Sequence, residues 1–429
     1  MTSVDSLQTQ INSVIALYSN GQIQEALDSV EALTKGYPNE PLLYNISGAC
    51  YKAIGQLDAA VESFEKALAI KPDYIEACYN LGLTLQELGQ LDAAVKSYEK
   101  AVTLKPDYAE AHNNLGVTLK ELGKHEAAVK CYEKAVAVKP DYAEAHNNLG
   151  NALSELGQRE NAAKSYEKAV VLKPDHANAH NNLGNALSDL GQHDAAVKSY
   201  EKAVTLKPDY AEACYNLGVT LKELDQLDDA IRSYEKAVTL KPDYAEAHYN
   251  LGNTLSELGQ REDAAKSYEK ALTLNPENAE AYSNLAVVFV QLGQVDAAVK
   301  CYEKALSLMP DNADTYNNLG IAYMQIDQLD AAIKCYKKAL SLVPDYADVY
   351  ANLGIVMDRL DRLDEALASY ESAIALNPDL DYVFNDYLHT KMHLCIWDDQ
   401  ANRLDELTKK VNNGEKALNP FVALALIDD

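Results

Sequence analysis

Proline returns every 34 residues along this chain. It stands at Pro38, Pro72, Pro106, Pro140, Pro174, Pro208, Pro242, Pro276, Pro310, Pro344 and Pro378, and no interval is broken. A fixed period of this length marks a chain made by stacking one small unit, because a single unit cannot bury its own apolar face. Eleven such repeats run from Leu7 to Leu380. Whatever the chain does must be done with a surface that nearly copies itself.

Each repeat reads as two antiparallel helices. In the fourth, helix A is predicted from about Glu110 to Leu122, with Ala111, Leu115, Gly116, Leu119 and Leu122 at helical spacing. It ends at Gly123, where a left-handed residue is easiest for glycine. Gly21, Gly55, Gly89, Gly157, Gly191, Gly259 and Gly293 share that column, and Asp225, Asp327 and Asp361 take it in three repeats. Aspartate is among the few side chains that tolerate such a turn. Helix B follows from about Glu126 to Val138 and is stopped by Pro140.

A second glycine column lies inside helix A: Gly48, Gly82, Gly116, Gly150, Gly184, Gly218, Gly252, Gly320 and Gly354. Glycine there costs roughly 1 kcal/mol against alanine, so close packing is expected to explain it. The helix B column of Ala26, Ala60, Ala94, Ala128 and their successors to Ala366 is the expected neighbour. Phe64, then Tyr98, Tyr132, Tyr166, Tyr200, Tyr234, Tyr268, Tyr302, Tyr336 and Tyr370 are expected to fill the space between repeats.

This set of columns, leucine before the first glycine and then Ala, aromatic, Ala and Pro, resembles the tetratricopeptide repeat family. The family's usual tryptophan is replaced by His112, His146, His180, His248, Cys78, Cys214 or tyrosine. The resemblance implies an all-α fold, a right-handed superhelical solenoid of helix-turn-helix repeats with a concave groove lined by the A helices. Residues 1–40 form an atypical first repeat, with Val30 in the aromatic column and Ser13-Val14 where Leu-Gly belongs. Residues 41–380 hold ten further repeats, and after Leu380 the period is lost into a helical connector, 381–429. One helix is expected there around Asp381–Leu394 and another from about Asp398 to Val411, followed by an apolar run over Phe421–Ile427.

Net charge is −27, and no block of Lys and Arg interrupts it, which disfavours nucleic acid and anionic membranes as partners. The start MTSVDSLQTQ lacks a basic region followed by an apolar run, and no stretch is apolar enough to span a bilayer. The seven cysteines fall on repeat columns instead of a disulfide or zinc framework, so they read as reduced packing residues of a cytoplasmic protein.

The polar column that asks for a function is asparagine. Asn12, Asn80, Asn114, Asn148, Asn182, Asn216, Asn250, Asn284, Asn318 and Asn352 recur at one helix A position, where Asn is a mediocre helix former. Ile46 alone breaks the column. Asn151, Asn185 and Asn253 lie one turn further on and widen the strip. In related repeat proteins the position faces the groove. A ladder of amides can give and accept hydrogen bonds along an extended peptide without reading its side chains. The competing reading is that these residues only tie neighbouring helices together.

Other candidates are weaker. Glu110, Glu144, Glu212, Glu246 and Glu280 sit at the second position of their repeats, where the relatives that clamp a chaperone's C-terminal carboxylate carry lysine. That argues against such a receptor. His389 and His393 share a helix face near Asp386, but the glutamate of the zinc-protease motif is missing because Thr390 follows His389. No metal site and no cofactor are expected. No nucleotide loop, nucleophile elbow or acid–base pair stands outside the repeat columns, so this chain carries no catalytic residues of its own.

The tail supplies a further resemblance. Leu394-Cys395-Ile396-Trp397-Asp398-Asp399, Leu404, Leu407 and Pro420-Phe421 through Leu424-Ala425-Leu426-Ile427-Asp428-Asp429 are similar, in order and spacing, to the connector that follows the repeats in the O-linked N-acetylglucosamine transferase class of glycosyltransferases, family 41. In that family the repeats receive protein substrates and a following domain uses a UDP-sugar to glycosylate Ser or Thr. The resemblance implies a substrate-recruiting arm, cut before its catalytic domain. A self-sufficient adaptor that scaffolds protein complexes is the alternative, and a homodimer stays open in either case.

Overall fold

The computed structural model describes residues 3–380 and 383–396. Among them the chain is all-helical, with 23 helices and no strand. Repeat 4 is typical, with helix A at Ala109–Glu121 and helix B at His125–Val138. Contacts of Ala211–Glu223 apart, each helix packs on the helices before and after it, and helix A also touches helix A of the next repeat, as Ala109–Glu121 touches Ala143–Glu155. This is a solenoid of stacked hairpins. The chain divides into two compact units, one ending at Thr220 and one starting at Leu221.

The turn between helices follows from its residues. Gly89 has φ +73°; its N–H bonds Gln86 O at 2.9 Å and the next N–H, of Gln90, bonds Leu85 O at 2.8 Å. These are the two bonds of a Schellman motif, and they satisfy carbonyls the helix leaves unpaired. Asp225, Asp327 and Asp361 take the same conformation at φ 58°, 60° and 58°, as the sequence predicts.

The mid-helix glycines have a different partner from the expected one. The alanine column of helix B is fully buried, but it is the aromatic ring of the same hairpin that lies on the glycine. A Cβ at Gly150 would stand 2.5 Å from Tyr166 Cε1, and the same clash recurs from Gly48 with Phe64 to Gly354 with Tyr370. The ring therefore locks its own hairpin as well as contributing to the shared core. Repeat 1 shows the compensation: Val14 takes the glycine slot and Val30 the ring slot, and both are buried in one cluster with Ile46. That burial explains why Ile46 interrupts the polar column.

The backbone also carries the period past Leu380. A helix from Val383 to His393 packs on helix B of repeat 11, Leu363–Leu376, in the place of a twelfth helix A. Cys395, 34 residues after Asp361, has φ 56°, and Ile396 N bonds Lys391 O at 2.9 Å as Arg362 N bonds Met357 O. Thr390 Oγ1 donates to Asp386 O, as Thr118 does to Asn114 O in repeat 4. The expected connector helix over 381–394 is thus in register with the repeats. Trp397, the expected helix from Asp398 to Val411 and the terminal apolar run lie outside the described residues.

Candidate functional site

Helix A presents the asparagine ladder because 34 residues bring each repeat back to the same helical phase. From Asn80 to Asn352 every ladder residue is half-buried, whereas Asn12 is exposed and accepts a bond from Gln8. The ladder is not sealed between hairpins: Asn284 and Asn318 border one open cavity, and Asn352 borders another.

What the ladder does internally is specific. In the first unit, Asn148 Nδ2 donates to Asn113 Oδ1 at 3.1 Å, Asn182 Nδ2 to Asn147 Oδ1 at 3.2 Å, and Asn216 Nδ2 to Asn181 Oδ1 at 3.2 Å. Asn80 reaches Asn45 and Asn114 reaches the Tyr79 hydroxyl in the same way. In the second unit Asn284 donates to the Tyr249 hydroxyl and Asn352 to Asn317. These seven rungs each brace the helix A of the preceding repeat. The partners are a second column that the sequence reading passed over, although doublets such as Asn113-Asn114 and Asn147-Asn148 display it.

Asn151, Asn185 and Asn253 are also structural acceptors. Their Oδ1 atoms receive the hydroxyls of Tyr166, Tyr200 and Tyr268 at 2.8, 2.8 and 2.7 Å, and also the amides of Asn182, Asn216 and Asn284. Burial pushes the Tyr166 and Tyr268 hydroxyls above the ordinary phenol range, so they remain protonated donors. These carbonyls satisfy hydroxyls that would be costly to bury alone.

Two kinds of atom are left over. Both amide hydrogens of Asn182, Asn216 and Asn284 have acceptors, so these side chains keep only a carbonyl oxygen to offer. The Asn148 and Asn352 carbonyls likewise have no partner among the described residues, and none of these oxygens is buried without one. Asn318 differs: the corresponding position of the preceding repeat is Ser283, whose hydroxyl is paired with Thr315 at 3.2 Å, and the Asn318 side chain has no partner among the described residues. Asn250 is half-buried like the rest. The strip is consequently richer in acceptors than a column of free amides would be.

The histidines in the tryptophan column do more than pack. Nε2 of His112, His146, His180 and His248 lies 2.9, 3.1, 3.1 and 3.2 Å from the carbonyls of Pro106, Pro140, Pro174 and Pro242. A carbonyl only accepts, so Nε2 carries the proton and ties the inter-repeat loop to helix A. Burial lowers the pKa of His146, His180 and His248 below the usual histidine value. His389 and His393 lie with ring centroids 4.2 Å apart and planes tilted by 53°, and no group of three metal-binding side chains occurs among the described residues. Cys78 and Cys214 are buried and Cys131 half-buried, all three with free thiols. No helix among the described residues is long and apolar enough to cross a membrane.

Comparison with known proteins agrees with the geometry. The TPR repeat profile matches residues 48–89, 84–123, 118–157, 150–191, 184–225, 220–259, 252–293 and 288–327, and a tetratricopeptide repeat profile matches 311–379. The peroxisomal targeting signal receptor of Candida glabrata is 30% identical over 88 residues, which is 18% of this chain and 15% of the receptor. That of Kluyveromyces lactis is 27% identical over 77 residues, 18% of this chain and 14% of the receptor. Among solved structures, MamA is 30% identical with a TM-score of 0.37, covering 39% of this chain and 97% of MamA. YrrB, described as a TPR protein with an unusual peptide-binding site, is 25% identical with a TM-score of 0.42, covering 46% of this chain and 99% of YrrB. With family matches running almost unbroken from residue 48 to 379 over stacked helical hairpins, the chain belongs to the tetratricopeptide repeat family.

Proposed function

We propose that this solenoid binds extended polypeptide along the asparagine-bearing face of its A helices. The observation that carries the reading is the set of solvent-accessible carbonyl oxygens at Asn148, Asn182, Asn216, Asn284 and Asn352, held in place by the very bonds that consume their amides. A peptide backbone supplies N–H groups to such acceptors whatever its side chains. Asn151 and Asn185 contribute amides in return, so a bound strand meets both polarities. Pre-fixed side chains lose little further entropy when a partner arrives.

Backbone N-methylation of the peptide tests this without touching the protein. A peptide selected from a random display library should lose about tenfold or more in affinity when its N–H groups are methylated at alternate residues. An affinity indifferent to methylation removes the ladder from the mechanism.

The finer reading is a substrate-recruiting arm for a UDP-sugar-dependent protein O-glycosyltransferase, and it is supported by the connector motif around Leu394-Cys395-Ile396-Trp397-Asp398-Asp399. A stand-alone adaptor uses the same face equally well. A reading frame that continues from Asp429 into a sugar-nucleotide-binding domain favours the arm, and a stop codon there favours the adaptor.

A further inference from the structure

The acidic column at the second position of helix A changes character along the chain. In repeat 4 the carboxylate has its own counterion: Lys139 Nζ, at the end of helix B, bonds Glu110 Oε1 at 3.0 Å. That bond holds the Glu110 carboxyl below the usual carboxylate range. Lysine keeps this place as Lys71, Lys105, Lys139, Lys173, Lys207 and Lys241. In repeats 8 to 10 it is replaced by Asn275, Met309 and Val343, while the acids stay as Glu246, Glu280 and Asp314. The apolar substitutes are not hidden: Met309 is 43% exposed.

A cavity of about 330 Å³ opens where the lysine is missing. Its apolar part is Val287, Ala305 and Met309; its polar part includes Glu280, Asp314, Asn284 and Asn318, and no cation lines it. Tyr249 donates to Glu280 Oε2 at 3.3 Å and Tyr346 to Asp314 Oδ1 at 2.6 Å, which orients both carboxylates and leaves each a second oxygen. Asn284 has spent both amide hydrogens and offers its carbonyl. An apolar pocket rimmed by fixed acceptors and lacking its repeat's counterion is complementary to one natural side chain. Arginine has a long apolar stem and a planar, weakly hydrated cation with five donors.

We propose that this cavity is a side-chain subsite for an arginine of the bound polypeptide, its guanidinium bridging Glu280 and Asp314 and its stem lying on Met309. The subsite rests on the peptide-binding reading above and adds selectivity to it. Repeat 4, whose Glu110 is matched by Lys139, grips backbone; the Met309 repeat selects charge.

The test compares two fluorescein-labelled alanine–serine peptides, one with a central arginine and one with its neutral isostere citrulline, on the full chain. Wild type should bind the arginine peptide about tenfold tighter, the size expected of a lost charge-assisted pair. Glu280→Gln/Asp314→Asn should erase that preference, and so should Met309→Lys, which supplies the counterion that Lys139 gives Glu110 in repeat 4. Glu133→Gln/Glu167→Gln removes the same charge from exposed positions of helix B elsewhere and should keep it. Preference that survives in the site variants, or that falls equally in the control, refutes the subsite. Equal binding of both peptides that is still lost on N-methylation refutes the subsite and spares the groove. Binding of neither peptide refutes both.

Discussion

Gly150→Ala is the smallest change that tests how a hairpin is locked. On helix propensity alone the variant should be stabilised by roughly 1 kcal/mol. The structure reverses the sign. The new Cβ would lie 2.5 Å from Tyr166 Cε1 and 2.7 Å from Cδ1, about 1 Å inside ordinary carbon–carbon contact. The ring must move, and its hydroxyl is bound to Asn151 Oδ1 at 2.8 Å next door to the substitution. Losing that bond costs about 0.5–1.5 kcal/mol, and overpacking a filled core costs typically about 1–3 kcal/mol. Set against the propensity gain, the net should be a loss of about 1–2 kcal/mol, and Gly150→Leu should lose more. Repeat 9 is the internal control, because Ala286 already faces Tyr302 in one cluster and Val287 stands where Asn151 stands in repeat 5. There Ala286→Gly should also destabilise, by about 1 kcal/mol, from propensity and lost packing. Urea unfolding followed by far-UV circular dichroism reads both variants. A Gly150→Ala protein as stable as wild type would refute the ring-on-glycine lock.

Asn182→Ala should cost about 1–3 kcal/mol, because its amide makes two bonds to the preceding repeat, so the same urea titration must accompany any peptide-binding measurement on ladder variants. Asp225→Gly should raise stability by about 0.5–1 kcal/mol, since a left-handed residue at φ 58° is cheaper as glycine, and a melting curve shows it. Stability should fall as pH drops from 7.5 toward 5: the folded pKa values of His146, His180 and His248 lie below the unfolded value near 6.5, so the unfolded chain binds more protons. The loss begins near the unfolded value and grows until the folded values are passed. Replacing the three with glutamine should flatten the melting temperature over that window, and an unchanged slope would exclude them as its source.

Much of the fold was legible because the repeat multiplies every signal. One glycine at 123 is weak evidence, but eight glycines and three aspartates in a column identify a left-handed turn, and the backbone angles agree. The partner of the mid-helix glycines was not legible. Alanine is small and invariant, and it drew the inference, yet sequence spacing does not say which column of helix B a ring lies across. The helix after Leu380 was legible but its register as a twelfth helix A was not, because Leu388 stands in the glycine column and Cys395 in the turn column, leaving only Thr390 and the backbone to mark it. The inner bonding of the ladder was legible only as the competing reading, that these residues tie neighbouring helices together, and its partner column was not. A column of identical amides looks the same whether it faces a ligand or a neighbour, and here Asn148, Asn182, Asn216, Asn284 and Asn352 bond a neighbour through nitrogen and leave their oxygens over.

The ring that closes on a glycine inside its own hairpin makes most of the 34-residue segments cassettes that carry their own latch. Joining two cassettes then requires only a compatible rung: excising repeat 5 would bring Asn182 against Asn113, an acceptor already shaped for Asn148. Recombination can lengthen or shorten such an array without redesigning its interior, and the thrice-copied SYEKAVTLKPDYAEA reads as a trace of that process. Reach along a partner is thereby a quantity that gene duplication can adjust in whole steps.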